Sequence, residues 1–453
     1  MLTATDPTTG AVFFQQASLT PHEIEQRLAQ AHLAFATWQH TTFDERAAVL
    51  RQVADKLRQQ KSTLAHLTAK EMGKPVTQGE KEVEKAAGCA EYYADHAAHF
   101  LQQETLPSDA SHSFVCYQPL GPILGILPWN MPVWLAFRYC VPALMAGNTC
   151  VMKHDPNTPQ TAQAIADVFT AAQAPQGILV NLAIETQSVA SVIEDARIAA
   201  VSFTGSSAAG RKVAATAGAA LKPCVLELGG SDPCVIFADA DIEQAANVAV
   251  QSRFNNSGQS CIAAKRILVE QSLYPSFIQE LKKRVAQQIV GNPLAHDTQI
   301  GPLARDDLRQ ALHAQVQASI TAGAHCLLGG KLPTESGYFY PATLLTDVTP
   351  NMPVFTEETF GPVMCVSVFK DAEQALKLAN QTDYGLGASV WTSNQDLANR
   401  FAQGLNAGQV AINGLVKTDS RLPSGGIKNS GMGRELGPHG IREFVNTKQV
   451  WIK

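Results

Sequence analysis

Cys150-Val-Met-Lys153, Gly177-Ile-Leu-Val-Asn-Leu-Ala183 and Ile198-Ala-Ala-Val-Ser-Phe203 are short apolar runs, and a helical stretch from Thr161 to Ala172 lies between the first two. Runs of this length suit strands buried on both faces, with the intervening helices as covers. The pattern predicts βαβ units in a parallel sheet and an α/β fold. Toward the N-terminus, Pro122-Ile-Leu-Gly-Ile-Leu127 and Ser113-Phe-Val-Cys-Tyr117 are strand-like, after a polar break at Pro107-Ser108-Asp109. The first ~100 residues read as helices by their periodicity. Thr20-Pro21-His22-Glu23 is a capping box, after which Ile24, Leu28, Ala31, Phe35 and Trp38 share one face, and Leu50, Val53 and Leu57 form a second stripe. A second alternation starts after Gly229-Gly230: Cys234-Val-Ile-Phe237, a helix from Ile242, Ile267-Leu-Val269, and a helix from Tyr274. Two α/β domains are expected, and no internal repeat is found.

Composition narrows the function. The chain has 453 residues, 45% hydrophobic and 17% charged, which is ordinary for a folded enzyme and too long for one domain. Its net charge of −5 is spread without basic runs, so no nucleic-acid partner is expected. No apolar stretch approaches the ~20 residues of a membrane span, and the N-terminus lacks a signal-peptide pattern; a cytoplasmic protein is expected. The nine cysteines include no CxxC pair and no metal-ligand spacing, so reduced thiols and no metal are expected.

The fingerprint GxGxxG is absent from the strand-to-helix junctions. Phe203-Thr-Gly-Ser-Ser-Ala-Ala-Gly210-Arg211-Lys212 instead follows a strand and opens a helix, where free N–H groups can meet an anion; alone, it reads equally as a glycine-containing turn. Cys261 ends the small-residue loop Phe254-Asn-Asn-Ser-Gly-Gln-Ser-Cys261, a setting for a nucleophile, although a lone cysteine also reads as a small buried apolar group. Glu227 interrupts the apolar run Val225-Leu-Glu-Leu-Gly-Gly230 and is either a general base or one half of a salt bridge. Asn130, between prolines in Pro128-Trp-Asn-Met-Pro132, is an oxyanion donor or a turn former.

Taken together with Pro142-Ala-Leu-Met-Ala-Gly-Asn148 leading to Lys153, Glu358-Thr-Phe-Gly-Pro362 and Ser424-Gly-Gly-Ile-Lys-Asn-Ser-Gly431, these segments resemble the aldehyde dehydrogenase superfamily over essentially the whole chain. The separations 261 − 227 = 34 and 358 − 261 = 97 match the family's spacing. The resemblance implies a Rossmann-like cofactor domain (residues 1–105 and 119–227), a catalytic domain (228–425) and a small β oligomerisation arm (106–118 and 426–453). It also implies that Cys261 is the nucleophile, Glu227 the base that activates water, and Asn130 with the N–H of Cys261 the oxyanion donors. Aldehyde would pass through a thiohemiacetal and a thioester to the acid, with NAD or NADP as hydride acceptor.

Further roles follow from the same resemblance. Trp129 and Lys153 would bracket the adenosine half of the cofactor, Gly205 and Ser206 the pyrophosphate, Leu228 the cleft, and Glu358 with Phe360 the nicotinamide riboside. NAD-preferring relatives carry Glu three positions after the lysine; here Lys153-His154-Asp155-Pro156 has proline instead. A cationic His154 could accept a 2′-phosphate, while Asp155 argues for NAD, so the choice stays open. Arg138 resembles succinate-semialdehyde dehydrogenases and is expected to take a substrate carboxylate bidentately, with Lys417, Thr418 and Arg421 nearby. Tyr139 and Ser231 depart from the family, which often has Lys at both places. The expected substrate is a small aldehyde, most like succinate semialdehyde. A dehydrogenase for another small aldehyde, a coenzyme A-acylating relative and a non-catalytic cofactor-binding member are the alternatives. Ser113–Tyr117 and Lys448–Ile452 correspond to the arm, and a lone hairpin is marginal in water, so a homodimer or homotetramer is expected.

Overall fold

The structure is a computed structural model that describes residues 1–453. Its strands are β1 (Leu2–Asp6), β2 (Ala11–Gln16), β3 (Glu104–Thr105), β4 (His112–Pro119), β5 (Pro122–Ile126), β6 (Thr149–Lys153), β7 (Leu179–Asn181), β8 (Ala200–Thr204), β9 (Cys224–Glu227), β10 (Asp232–Ile236), β11 (Ala264–Glu270), β12 (His325–Leu328), β13 (Thr343–Thr346), β14 (Val363–Phe369), β15 (Gly387–Trp391), β16 (Gln409–Ile412), β17 (Gly431–Met432) and β18 (Val445–Ile452). The helices that matter below are α1 (Pro21–Trp38), α2 (Phe43–Gln59), α3 (Lys61–Met72), α4 (Val76–Phe100), α5 (Pro132–Met145), α6 (Pro159–Ala171), α7 (Val189–Glu194), α8 (Ser207–Ala219) and α9 (Ile242–Phe254).

Two sheets carry the fold. One has the order β17-β9-β8-β5-β6-β7, parallel except for β17; the other has β12-β13-β14-β11-β10-β15-β16, parallel except for β12. The apolar runs of β5, β6 and β8 are buried throughout because helices cover both faces. Leu50, Val53, Val83, Phe137 and Ile165 from α2, α4, α5 and α6 pack on one face, and Leu28, Val192 and Val213 from α1, α7 and α8 on the other. The second sheet is enclosed in the same way.

The capping box holds at α1: Glu23 N–H donates to the Thr20 hydroxyl, and the Glu23 carboxylate accepts from Thr20 N–H at 2.7 Å. The expectation of helices alone in the first hundred residues is corrected. Residues 2–16 form a β-hairpin, β1 with β2, in which Leu2 and Ala4 are buried on one side and Gly10 takes φ +78° at the turn. That alternation is too short to stand out against the helical stripes that follow. The arm is also larger than a hairpin, since β3 joins β4 opposite β18 to make three strands. β17, expected in the arm segment, pairs with β9 instead, setting Gly431 against Glu227. No helix is long and apolar enough to cross a membrane.

Candidate active site

Chain order reverses direction across β5, with β6 and β7 on one side and β8 and β9 on the other, so a crevice opens at the carboxyl ends of these strands. There β5 runs into Trp129 and Asn130, β6 ends on Lys153, β8 leads to Gly205 and Ser206, and β9 ends on Glu227. The second sheet closes the crevice with the loop before β11, which carries Cys261, and the loop before β14, which carries Glu358 and Phe360. A cleft of about 620 Å³ results, and its wall contains all of these residues together with Arg138, Asp155, Leu228 and Thr418.

The Cys261 loop is held under strain. Asn256 and Ser257 have φ near +55° and Gly258 +74°. A side chain at Gly258 would meet the Gly361 carbonyl oxygen at 2.3 Å, so only glycine fits. Arg253, fully buried at the end of α9, compensates by donating to the carbonyls of Val363 (2.5 Å), Thr359 (2.9 Å) and Gly361. Asn256 Nδ2 donates to the Asn130 carbonyl at 2.7 Å, and Asn130 Nδ2 to the Gln259 carbonyl at 3.0 Å. The candidate oxyanion donor is thereby fastened to the loop of the candidate nucleophile, and one amide N–H of Asn130 remains free.

Cys261 is partly exposed, and burial pushes its thiol up to about 11, against the pull of Lys265 and Arg138. Lys265 Nζ donates to the Cys261 carbonyl at 2.6 Å and to Glu358 Oε1 at 3.1 Å, where Gly230 N–H also donates at 3.0 Å. Glu227 is 3% exposed and its Oε1 has no partner. Burial raises it to about 7, with Arg138 opposing and Glu435 reinforcing the rise. A carboxyl near 7 is poised as a base at neutral pH.

Arg138, the expected substrate clamp, lines this cleft. It is 2% exposed; its Nε pairs with Glu435, and its Nη2 donates to Thr204 Oγ1 at 3.2 Å and lies 3.6 Å from Glu227 Oε2. Its Nη1 has no partner within the chain. His154 is buried with its ring shared between the Pro132 carbonyl (3.0 Å) and Asp155 N–H (2.9 Å), and burial lowers it to about 4, so it is neutral and no phosphate cation. Pro156 lies outside the wall. So do Lys417 and Arg421; the former is exposed and the latter is spent on Asp419 at 2.6 and 2.8 Å.

A dinucleotide fits what remains. Ser206 caps α8 and lies in the wall of the cleft, which Val189, Ile193, Val213 and Thr216 also line. Lys153, 4% exposed, has no carboxylate within ion-pairing distance, which suits a hydroxyl or phosphate ligand. At Gly229 an added Cβ would meet Glu358 Oε2 at 2.4 Å, so glycine lets that carboxylate reach the crevice. Trp129 meets the Phe360 ring edge-on at 5.7 Å. Sequence reasoning passed over Arg253, Lys265 and Glu435. Lys265 and Arg266 interrupt a buried strand as Glu227 does, and that signal could have found them.

Residues 1–450 match the aldehyde dehydrogenase family. A probable NADP-dependent succinate-semialdehyde dehydrogenase of Synechocystis is 45% identical, covering 99% of this chain and 98% of that one. A succinate semialdehyde dehydrogenase of Escherichia coli that uses NAD or NADP is 42% identical, over 98% of this chain and 96% of its own. Among solved structures, succinic semialdehyde dehydrogenase from Streptococcus pyogenes, in complex with NADP, superposes with a TM-score of 0.97 at 34% identity over the whole of both chains.

Proposed function

The chain belongs to the aldehyde dehydrogenase family, and from that premise we propose that it oxidises succinate semialdehyde to succinate with NADP as the preferred hydride acceptor. The observation that carries the reading is the meeting of Cys261, Glu227 and Asn130 in one cleft whose wall also holds Lys153, which has no carboxylate within ion-pairing distance.

Cys261 loses its thiol proton to the Glu227 carboxylate, which passes it to solvent, and Sγ adds to the aldehyde carbon; the oxyanion that forms is received by the free N–H of Asn130 and the backbone N–H of Cys261. The bound dinucleotide supplies the acceptor for the hydride that leaves this carbon. Glu227 then takes a proton from the water that attacks the thioester, which releases succinate and the free thiol. The carboxylate at Glu227 supports water as the acceptor, since coenzyme A-acylating relatives tend to lack one at this position. NADP is supported by Pro156 in place of a ribose-binding glutamate, by the burial that raises the pKa of Asp155, and by the named relatives. The arm supports a cytoplasmic homodimer or homotetramer in which a partner strand lies along β18, whose outer residues Trp451 and Ile452 are exposed.

Initial rates with succinate semialdehyde and with butanal, each with NADP and NAD, test the reading. The expected kcat/KM is highest, on the order of tenfold or more, for succinate semialdehyde with NADP. Equal values across the four combinations overturn it.

A further inference from the structure

β11 is buried from Ala264 to Val269, yet two cations follow one another in it, Lys265 and Arg266. Successive side chains of a strand point to opposite faces, so the two serve different places. Arg266 is structural: it donates to the carbonyls of Ser231, Leu378 and Ala379, each at 2.8 Å, and the last two close the end of a helix over Ala372–Asn380. Lys265 is 0% exposed and does not line the cleft, but both of its partners do. Its Nζ donates to the Cys261 carbonyl at 2.6 Å and to Glu358 Oε1 at 3.1 Å. Gly230 N–H fills the same oxygen, so Glu358 Oε2, the atom nearest a Cβ placed on Gly229, stays open. A buried ion pair adds little stability over an apolar pair of equal volume, so its position calls for a reason. The charges that face the Cys261 thiol are Lys265 from β11 and Arg138 from α5, which favour the thiolate, and Glu227 and Glu358, which oppose it. Arg138 is also engaged by Glu435 and Glu227.

Resting on the reading that Cys261 is the nucleophile and Glu358 a ligand of the cofactor ribose, we propose that Lys265 is the positioning residue that readies both. From behind the loop its ammonium favours the Cys261 thiolate, and it fixes Glu358 with one oxygen turned to the cofactor. Lys265 itself exchanges no proton in the reaction; the thiol proton passes to Glu227 as above. Asp232, buried on β10 and paired in register with Ala264, stands on the same side of the balance: burial raises it to about 7, and Lys265 is the first charge that opposes the rise.

The test is the pH dependence of iodoacetamide labelling at Cys261, followed by mass at that residue, in the wild type, Lys265→Met, Lys265→Gln and Lys265→Arg. KM for NADP is read alongside. Lys265→Met and Lys265→Gln are expected to move the profile to higher pH by about one unit, so that labelling at a fixed pH near neutrality slows on the order of tenfold. KM for NADP rises roughly three- to tenfold as Glu358 loses its anchor. Glutamine keeps a donor for the Cys261 carbonyl without the charge, so a merely structural role would leave its profile in place. Lys265→Arg keeps the charge and restores most of the rate. Lys265→Met joined to Glu358→Gln removes the pair together and leaves Glu358 no unpaired charge; it should label more slowly than Glu358→Gln alone, and this comparison carries the test where the single variants fail to fold. A profile within ~0.3 units of the wild type in Lys265→Met or Lys265→Gln, or equal labelling of the two Glu358→Gln proteins, overturns the role of Lys265. Labelling of Cys261 that leaves activity intact overturns the reading of Cys261 as the nucleophile, and this proposal with it.

Discussion

Replacing Arg138 by methionine and Glu435 by glutamine should move the pH profile of the reaction in opposite directions. Arg138 Nη2 lies 3.6 Å from Glu227 Oε2, and Glu435 pairs with the same guanidinium. At an effective dielectric of ~20 a unit charge at that distance is worth roughly 4–5 kcal/mol, or about three pK units before Glu435 is set against it. Because Glu227 stands near 7, raised by burial, its ionised form takes over as pH rises through neutrality, and kcat should rise along that limb when thioester hydrolysis is limiting. Arg138→Met removes the stabilising cation, so the limb moves up, by roughly one to two units once the opposing charge of Glu435 is counted. Glu435→Gln frees the whole cation to act on Glu227, so the limb moves down, by about one unit. The assay is kcat against pH, with the pre-steady-state burst of reduced cofactor confirming that hydrolysis follows hydride transfer. Butanal should show the same shifts as succinate semialdehyde, because the effect is on the base and not on a substrate carboxylate. Arg138→Met leaves Glu435 buried and unpaired, at a cost of about 3–5 kcal/mol, which the double variant relieves. Shifts of the same sign, or a limb that stays within ~0.3 units in both variants, would refute the electrostatic account.

Three shorter tests address other parts of the site. Alkylation of Cys261 by iodoacetamide should be slow at neutral pH in the free enzyme, since burial holds the thiol near 11, and should accelerate as pH rises, with activity lost in step with mass gain at this residue. Lys153→Met should raise KM for NADP on the order of 10- to 100-fold with a smaller effect on KM for the aldehyde, measured by initial rates. Glu82→Ala should lower the thermal midpoint substantially, because Lys74 is then buried without its partner, a loss of about 3–5 kcal/mol; differential scanning calorimetry reads it.

The parallel sheets were legible because βαβ chains write buried strands as unbroken apolar runs: the runs at 150–153 and 267–269 fall on strands, and the run at 198–203 leads into one at Ala200. Cys261, Glu227 and Asn130 were legible only jointly: a thiol after a glycine-containing loop, a charge in a strand and an amide between prolines each had a plainer reading, and their order and separations along the chain matched the family. Glu435 was not, since it lies in an ordinary polar turn and acquires meaning only from Arg138, 297 positions earlier (435 − 138). His154 shows the converse: sequence allowed it a phosphate, but nothing in one dimension discloses that its ring turns inward to a carbonyl.

The short strand β17 also has a bearing on synthesis. Glu227 gains its second strand neighbour at Gly431, and the counter-ion of Arg138 comes from Glu435. The residues that finish the base leave the ribosome 208 positions after the base itself (435 − 227), which at ~5–20 residues per second is a delay of roughly 10–40 s. Through that interval a nascent chain can close the strands from β5 to β9 and present the thiol loop, yet lack the charge that sets Glu227. A chain that stops before Gly431 therefore lacks both the strand neighbour of Glu227 and the counter-ion of Arg138.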